Sequence, residues 1–214
     1  MFPLYDENPR KTKPFITWSL IAINVVVFAW QLSRGMDNEI VFEYGEIPAM
    51  ILSGRRLFTM ITSMFLHGDI FHIFGNMLYL FIFGDNIEDR FGHTKFLLLY
   101  LLFGVFGGLT HSVLTFVFDG TGVIIPAIGA SGAISGVLGA YLMFFPRAKI
   151  VSVILFFYFL RIARVPALIF LGFWFLLQFL YGATGTVGGV AYWAHIGGFA
   201  IGFLTAGLYK LLGQ

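Results

Sequence analysis

Six stretches of the 214-residue chain, 15–32, 70–85, 96–118, 127–145, 165–181 and 190–209, are almost wholly apolar and near the length needed to cross a lipid bilayer. A spanning helix takes about 20 such residues at a rise of roughly 1.5 Å each. A water-soluble fold has nowhere to hide that much apolar surface. Of the residues, 58% are hydrophobic, 11% are charged and 27 are phenylalanine, whereas ordinary soluble domains are about half apolar and a quarter charged. The pattern predicts an all-α integral membrane protein: a six-transmembrane-helix bundle forming one domain over residues 15–214, preceded by a polar cytoplasmic segment, 1–14. A further apolar run, "IVSVILFFYFL" at 150–160, is too short to cross and is closed by Arg161 and Arg164. It reads as interfacial or re-entrant.

Lysine and arginine set the expected orientation. With both termini cytoplasmic, the inner segments hold ten cations: Arg10, Lys11, Lys13, Arg90, Lys95, Arg147, Lys149, Arg161, Arg164 and Lys210. The outer segments hold three, Arg34, Arg55 and Arg56, an asymmetry of the sign the positive-inside rule demands. A seventh span at 150–160 would put Arg147 and Lys149 opposite Arg161 and Arg164 and weaken it. The long first outer loop, 33–69, spaces apolar residues among charges and is expected to be partly helical and interfacial. The loops 119–126 and 182–189 ("GATGTVGG") are short, glycine-rich and expected to be mobile. No cleavable leader is expected, because the first fourteen residues are polar and include Asp6 and Glu7. Absence of cysteine excludes disulfides, zinc–thiolate sites and thiol nucleophiles. A net charge of +2 with no basic patch gives no basis for nucleic-acid binding.

Polar side chains inside a bilayer are expensive, so each needs a partner or a task. In this topology His72 and Asn76 stand near the outer end of the second span, four residues apart and on one helix face. Ser131 stands about a turn inside the fourth span, with Ser135 roughly 6 Å deeper on the same face. His195 lies in the first turns of the sixth. Three helices distant in sequence thus bring His72, Asn76, Ser131 and His195 to one layer below the outer surface. A serine meeting a neutral histidine in a shielded pocket is a nucleophile with its general base. Asn76 and His72 are suited to donate hydrogen bonds to an oxyanion, together with backbone N–H groups at the start of the fourth span. No Asp or Glu lies in a span near His195, so a Ser–His dyad fits better than a triad. The pairs Gly132/Gly136 and Gly198/Gly202 let helices approach closely enough for a short serine side chain to reach the histidine. Against this stands serine's ordinary role as a helix-packing residue and histidine's as a structural hydrogen-bond partner or proton relay. Spacing does not choose between Ser131 and Ser135.

The segments "IGASGAISG", "HGDIFHIFGNM" and "AYWAHIGGFAIG" resemble those of the rhomboid intramembrane serine proteases, over about residues 15–210. The GxSG motif corresponds to Gly129, Ser131 and Gly132, the AHxxGxxxG motif to Ala194, His195, Gly198 and Gly202, and the HxxxxHxxxN pattern to His67, His72 and Asn76. "NIEDRFG" is similar to the family's ExR segment and carries Glu88 and Arg90. The resemblance implies that Ser131 is the nucleophile, His195 the base, and His72 with Asn76 the oxyanion donors; it also selects Ser131 over Ser135. Two departures stand out. Many rhomboids place an aromatic residue four positions after the nucleophile, under the catalytic imidazole, and here that position is Ser135. Ser135 or Tyr192 is left to hold His195 in place. The family's Trp-Arg pair in the first loop reads Arg55-Arg56.

The implied activity is endoproteolysis of transmembrane segments near the outer membrane face, with a substrate helix and the lipid bilayer as partners and neither cofactor nor metal. Substrate access is expected to be lateral, past the fifth span, although most aromatics of "FLGFWFLLQFLYG" (170–182) are expected simply to meet lipid. Thr110 and His111 are candidates for a hydration path or a structural hydrogen bond, and His67 for a loop organiser. His93 and the Asp85–Arg90 cluster read as solvated anchors at the inner face. The alternative is a non-catalytic rhomboid-like protein that binds transmembrane helices, although such proteins usually lack the serine or the histidine. A metalloprotease would need an HExxH pattern or an acidic third ligand for the histidines. An aspartyl protease would need a partner for Asp85, and a transporter would need intramembrane charge or interrupted half-helices. The compact form points to a prokaryotic cell membrane. Natural substrate and oligomeric state are not encoded legibly.

Overall fold

The computed structural model describes residues 1–156, 159–184 and 189–213. Helix α1 (Phe15–Ser33) leads into a run of short helices, α2 (Asn38–Tyr44), α3 (Pro48–Leu52) and α4 (Thr59–Thr62). Long helices follow: α5 (Ile70–Phe91), α6 (His93–Phe118), α7 (Ser131–Phe144), α8 (Ala167–Thr184) and α9 (Tyr192–Leu211). Each of the six apolar stretches thus carries one long helix, and the 33–69 segment is partly helical, as its mixed pattern predicts. Among the described residues, α1, α5, α6 and α8 are long and apolar enough to cross a membrane, whereas α7 has only 14 residues.

The surface of this bundle is the reverse of a soluble protein's. Phe71, Phe81, Leu98, Phe116, Leu168 and Phe179 are exposed, while the interior holds Asn24, Gln31, Asn76, Glu88, Gln178 and His195. With lipid as apolar as leucine, packing and polar contacts hold such helices together rather than expulsion from water. Helix α7 is the central one: all residues from Gly132 to Leu142 are buried, with α9, α6 and α5 packed around it. A methyl group at Gly198 would lie 2.0 Å from the Gly132 carbonyl oxygen, and one at Gly202 would lie 1.9 Å from that of Gly136. The two small-residue pairs therefore interlock, and α7 and α9 touch backbone to backbone.

The chain is not wholly helical. Strands β1 (Phe2–Asp6), β2 (Lys149–Phe156) and β3 (Phe159–Pro166) form an antiparallel sheet in the order β1-β2-β3, with Lys149 opposite Pro166 and Asp6 opposite Ile150. This corrects the all-α expectation: the run 150–160, of which residues 157–158 lie outside the described set, is strand where it is described, and it carries no spanning helix there. Hydropathy alone cannot separate a short apolar strand from a helical segment. The β-branched run Ile150, Val151, Val153, Ile154 favours the extended form. The sheet also gives the first residues an ordered place in the fold.

At the same end of the bundle, the segment before α1 is tied to the end of α5. Arg10 pairs with Asp85 at 2.8 Å, Asn8 donates to Asn86, and Thr12 bonds Asp89 through backbone and hydroxyl. Glu88 is wholly buried. Its carboxylate accepts from the Ile16 and Thr17 backbone N–H groups at 2.9 and 2.7 Å and from the Thr17 hydroxyl at 2.7 Å, so it caps the start of α1 from another helix. His93 Nδ1 lies 2.5 Å from the same carboxylate. The reading of Asp85–Arg90 as solvated anchors thus fails for Asn86 and Glu88, which face inward.

Candidate active site

The site lies at the opposite end, where α5, α7 and α9 all begin. Ser131 is the first residue of α7, not a turn inside it as the apolar pattern suggested, because the helix starts four residues later than the hydropathy does. Its N–H and those of the next two residues have no helical acceptor and point out of the helix end. Gly129, two residues earlier, has φ +122°, a backbone shape that side chains rarely tolerate. Its N–H donates to the Ser63 carbonyl at 2.9 Å. A methyl group there would strike the His72 imidazole, 2.7 Å from Nε2, so this glycine is what allows His72 to lie against the turn that presents Ser131.

His195, in the first turn of α9, places Nε2 2.8 Å from Ser131 Oγ. The imidazole is buried. Trp174 of α8 stacks beside it, with ring centroids 6.0 Å apart and planes at 30°. Tyr192 meets its edge at 6.1 Å and 82°. The other ring nitrogen, Nδ1, lies 2.8 Å from Gln178 Oε1. Of the two residues left by the sequence to hold His195, Tyr192 touches it and Ser135 does not. The Ser135 hydroxyl bonds back to the Ser131 carbonyl at 2.6 Å. Gln178 and Trp174 escaped the sequence reading because they lie on a strongly apolar span. A buried glutamine in a stretch of aromatic and aliphatic residues was nevertheless a legible signal, since such a group must find a partner.

Asn76 follows His72 by one helical turn on α5 and is buried, with no hydrogen-bond partner for its Nδ2 among the described residues. His67 also sits at this end. Gln31 of α1 holds its backbone from both sides, Nε2 donating to the His67 carbonyl at 3.3 Å and Oε1 accepting from its N–H at 3.0 Å. The His67 ring packs edge-on against His72 at 5.1 Å and against Phe28 at 6.4 Å, which fits the loop-organising role.

Behind Ser131 lies a small cavity of about 30 Å³, bordered by Glu46, Ser63, His111, Gly129 and Ala194, large enough for a water or two. His111 faces it, as the hydration reading requires. Thr110 instead bonds its own helix at Phe106 and abuts Gly197. Glu46 is buried, accepts from the Ser112 hydroxyl at 2.9 Å, and bridges through its backbone to Ala127. Burial pushes its carboxyl up to about 7, the Ser112 bond pulling the other way. Arg56 donates to the Glu43 carbonyl, within the same loop. Of the 182–189 loop, residues 185–188 lie outside the described set. No group of acidic and histidine side chains suited to a metal occurs among the described residues.

Known proteins are similar to this chain over much of its length. The Rhomboid domain model matches residues 54–211. Rhomboid protein 1, mitochondrial, of Saccharomyces cerevisiae is 32% identical over 212 residues, covering 95% of this chain and 54% of that protein. RHOMBOID-like protein 1 of Arabidopsis thaliana is 32% identical over 166 residues, covering 78% and 38%. Rhomboid protease GluP of Bacillus subtilis is 33% identical over 149 residues, covering 65% and 28%. The chain spans about half the length, or less, of these relatives. They include a mitochondrial, a plant and a bacterial protein, so they lend no support to the expectation of a prokaryotic cell membrane. The family match over most of the chain, together with the apolar helices that carry it, makes this a multi-pass membrane protein that belongs to the rhomboid family.

Proposed function

We propose that the protein is an intramembrane serine endopeptidase acting on transmembrane segments of membrane proteins by a Ser–His dyad. The observation that carries this reading is the 2.8 Å contact between Ser131 Oγ and His195 Nε2, made at the helix end where unpaired donors converge. Ser131 Oγ attacks the scissile carbonyl carbon while His195 Nε2 takes its proton, and the carbonyl π pair moves onto oxygen. The oxyanion meets Asn76 Nδ2, His72 and the N–H groups opening α7. Collapse expels the amine, which leaves with the proton from Nε2. Water then attacks the acyl-enzyme, giving one proton to Nε2 that returns to Oγ as the acid departs.

A substrate helix shields its carbonyls in its own hydrogen bonds, so it must unwind locally, and helix-breaking residues near the cut favour cleavage. The proposed topology has six spans, with both termini and the sheet on the cation-rich side and Ser131 near the opposite face. In this cysteine-free chain, single cysteines at Ser53 and Thr12 test it. An impermeant maleimide applied from outside should label only the first.

The deciding experiment incubates purified protein with a transmembrane reporter, alongside Ser131→Ala and His195→Ala. Cleavage by the wild type alone is the expected result. Cleavage surviving in Ser131→Ala removes the assignment. No cleavage and no fluorophosphonate labelling of the wild type favours the non-catalytic, helix-binding reading.

A further inference from the structure

We propose that Gln178 is the third member of the site, a positioning residue that holds the His195 proton on Nδ1 and aims the Nε2 lone pair at Ser131. This rests on the protease reading above. Gln178 is the only buried polar side chain among the described residues of α8. Its amide has two chemically different ends, and the surroundings allow one arrangement. The Trp174 carbonyl, one turn earlier on α8, can only accept, and it lies 3.3 Å from Gln178 Nε2, which donates to it. The other end, Oε1, is therefore the atom that meets His195 Nδ1 at 2.8 Å.

Oε1 has no proton to give, so Nδ1 must carry one. A neutral imidazole has a single N–H, and Nε2 is left bare. Ser131 Oγ, 2.8 Å away, is then the donor, and the serine proton already lies along its transfer path. When the imidazolium forms, Nδ1–H keeps its acceptor, and no buried negative charge is introduced. Trp174 covers one face of the ring from the same helix. On α7, the Ser135 hydroxyl turns back to its own helix, so the hydrogen-bond partner of Nδ1 comes from α8.

The test compares the full chain in detergent micelles, cleaving the same transmembrane reporter, with Gln178→Leu, Gln178→Met and Gln178→Glu. Leucine and methionine keep the bulk and remove the acceptor, and glutamate restores it. In the first two, kcat should fall roughly 10- to 100-fold with KM within about twofold of wild type. Glutamate should recover most of the loss. The expected drop is smaller than the ~10⁴-fold cost of a base locked in the wrong tautomer, because an unheld imidazole still samples the right one.

A second measurement does not depend on activity. Nitrogen NMR of histidine-labelled protein, with the His195 signals identified by their loss in His195→Ala, should show the proton held on Nδ1 in the wild type and a neutral ring divided between the two tautomers in Gln178→Leu. Full kcat in Gln178→Leu, a loss carried by KM instead, or an Nε2–H tautomer in the wild type would each overturn the proposal. An inactive wild type that still shows the Nδ1–H tautomer, lost in Gln178→Leu, would uphold the positioning role and remove the protease reading.

Discussion

Asn76 shows how far one residue can be read. A buried amide donor without a partner costs about 1–3 kcal/mol, and a fold does not keep such a group for its own stability. The sequence placed Asn76 on the His72 face, and the structure leaves its Nδ2 unpaired among the described residues. Asn76→Ala should therefore leave thermal unfolding unchanged or slightly raised while kcat falls roughly 10²- to 10³-fold, the loss typical of removing one oxyanion donor. Steady-state kinetics beside an unfolding curve would read both. A melting point that drops with kcat would mark Asn76 as structural. Gln178 is the opposite case, a residue passed over because its span looked like lipid-facing bulk.

At the scale of elements, the α7–α9 contact carries the site. His195 reaches Ser131 only because two pairs of glycines let these helices meet through their backbones, and the atom facing Gly202 is a carbonyl oxygen that cannot rotate away. Gly202→Ala should destabilise the fold by at least 1–3 kcal/mol and slow fluorophosphonate labelling of Ser131. Gly207→Ala, on the same helix, meets only the mobile end of Met143 at 3.2 Å and should be tolerated. Equal tolerance of both substitutions would show that the helices have room to spare. The sheet is the element that sequence reasoning missed. Its apolar run has the hydropathy of a membrane segment, and only pairing with residues 2–6 and 159–166 gives its backbone groups their partners.

For the whole molecule, Glu46 ties the segment 33–69 to α6 through Ser112 and to the approach to α7 through Ala127. Burial raises its carboxyl from an ordinary 4.5 to about 7. Between those values the folded protein keeps a proton that the unfolded chain releases. The stability from this group is therefore full below about 4.5 and lost as pH rises through 7, a span worth on the order of 3 kcal/mol. Unfolding measured at pH 5.5 and 8.5 should show the wild type losing stability at the higher pH, with Glu46→Gln losing less. Parallel pH responses in the two proteins would mean Glu46 is solvated.

By itself, the sequence determined that this chain belongs in a bilayer, where along the chain its six long helices lie, that small residues line two of them, and that His72, Asn76, Ser131 and His195 fall in the first two turns of three of them. Those are consequences of hydropathy, periodicity and the cost of burying polar groups, all local along the chain. Tertiary structure alone decided that Gln178 and Trp174 of α8 meet the histidine, that Glu88 caps a helix 71 residues away from it, and that residues 2–6 complete a sheet with 149–156 and 159–166. Each depends on which groups pair across long stretches of chain. A polar group signals only that it needs a partner; which partner it finds is settled by packing.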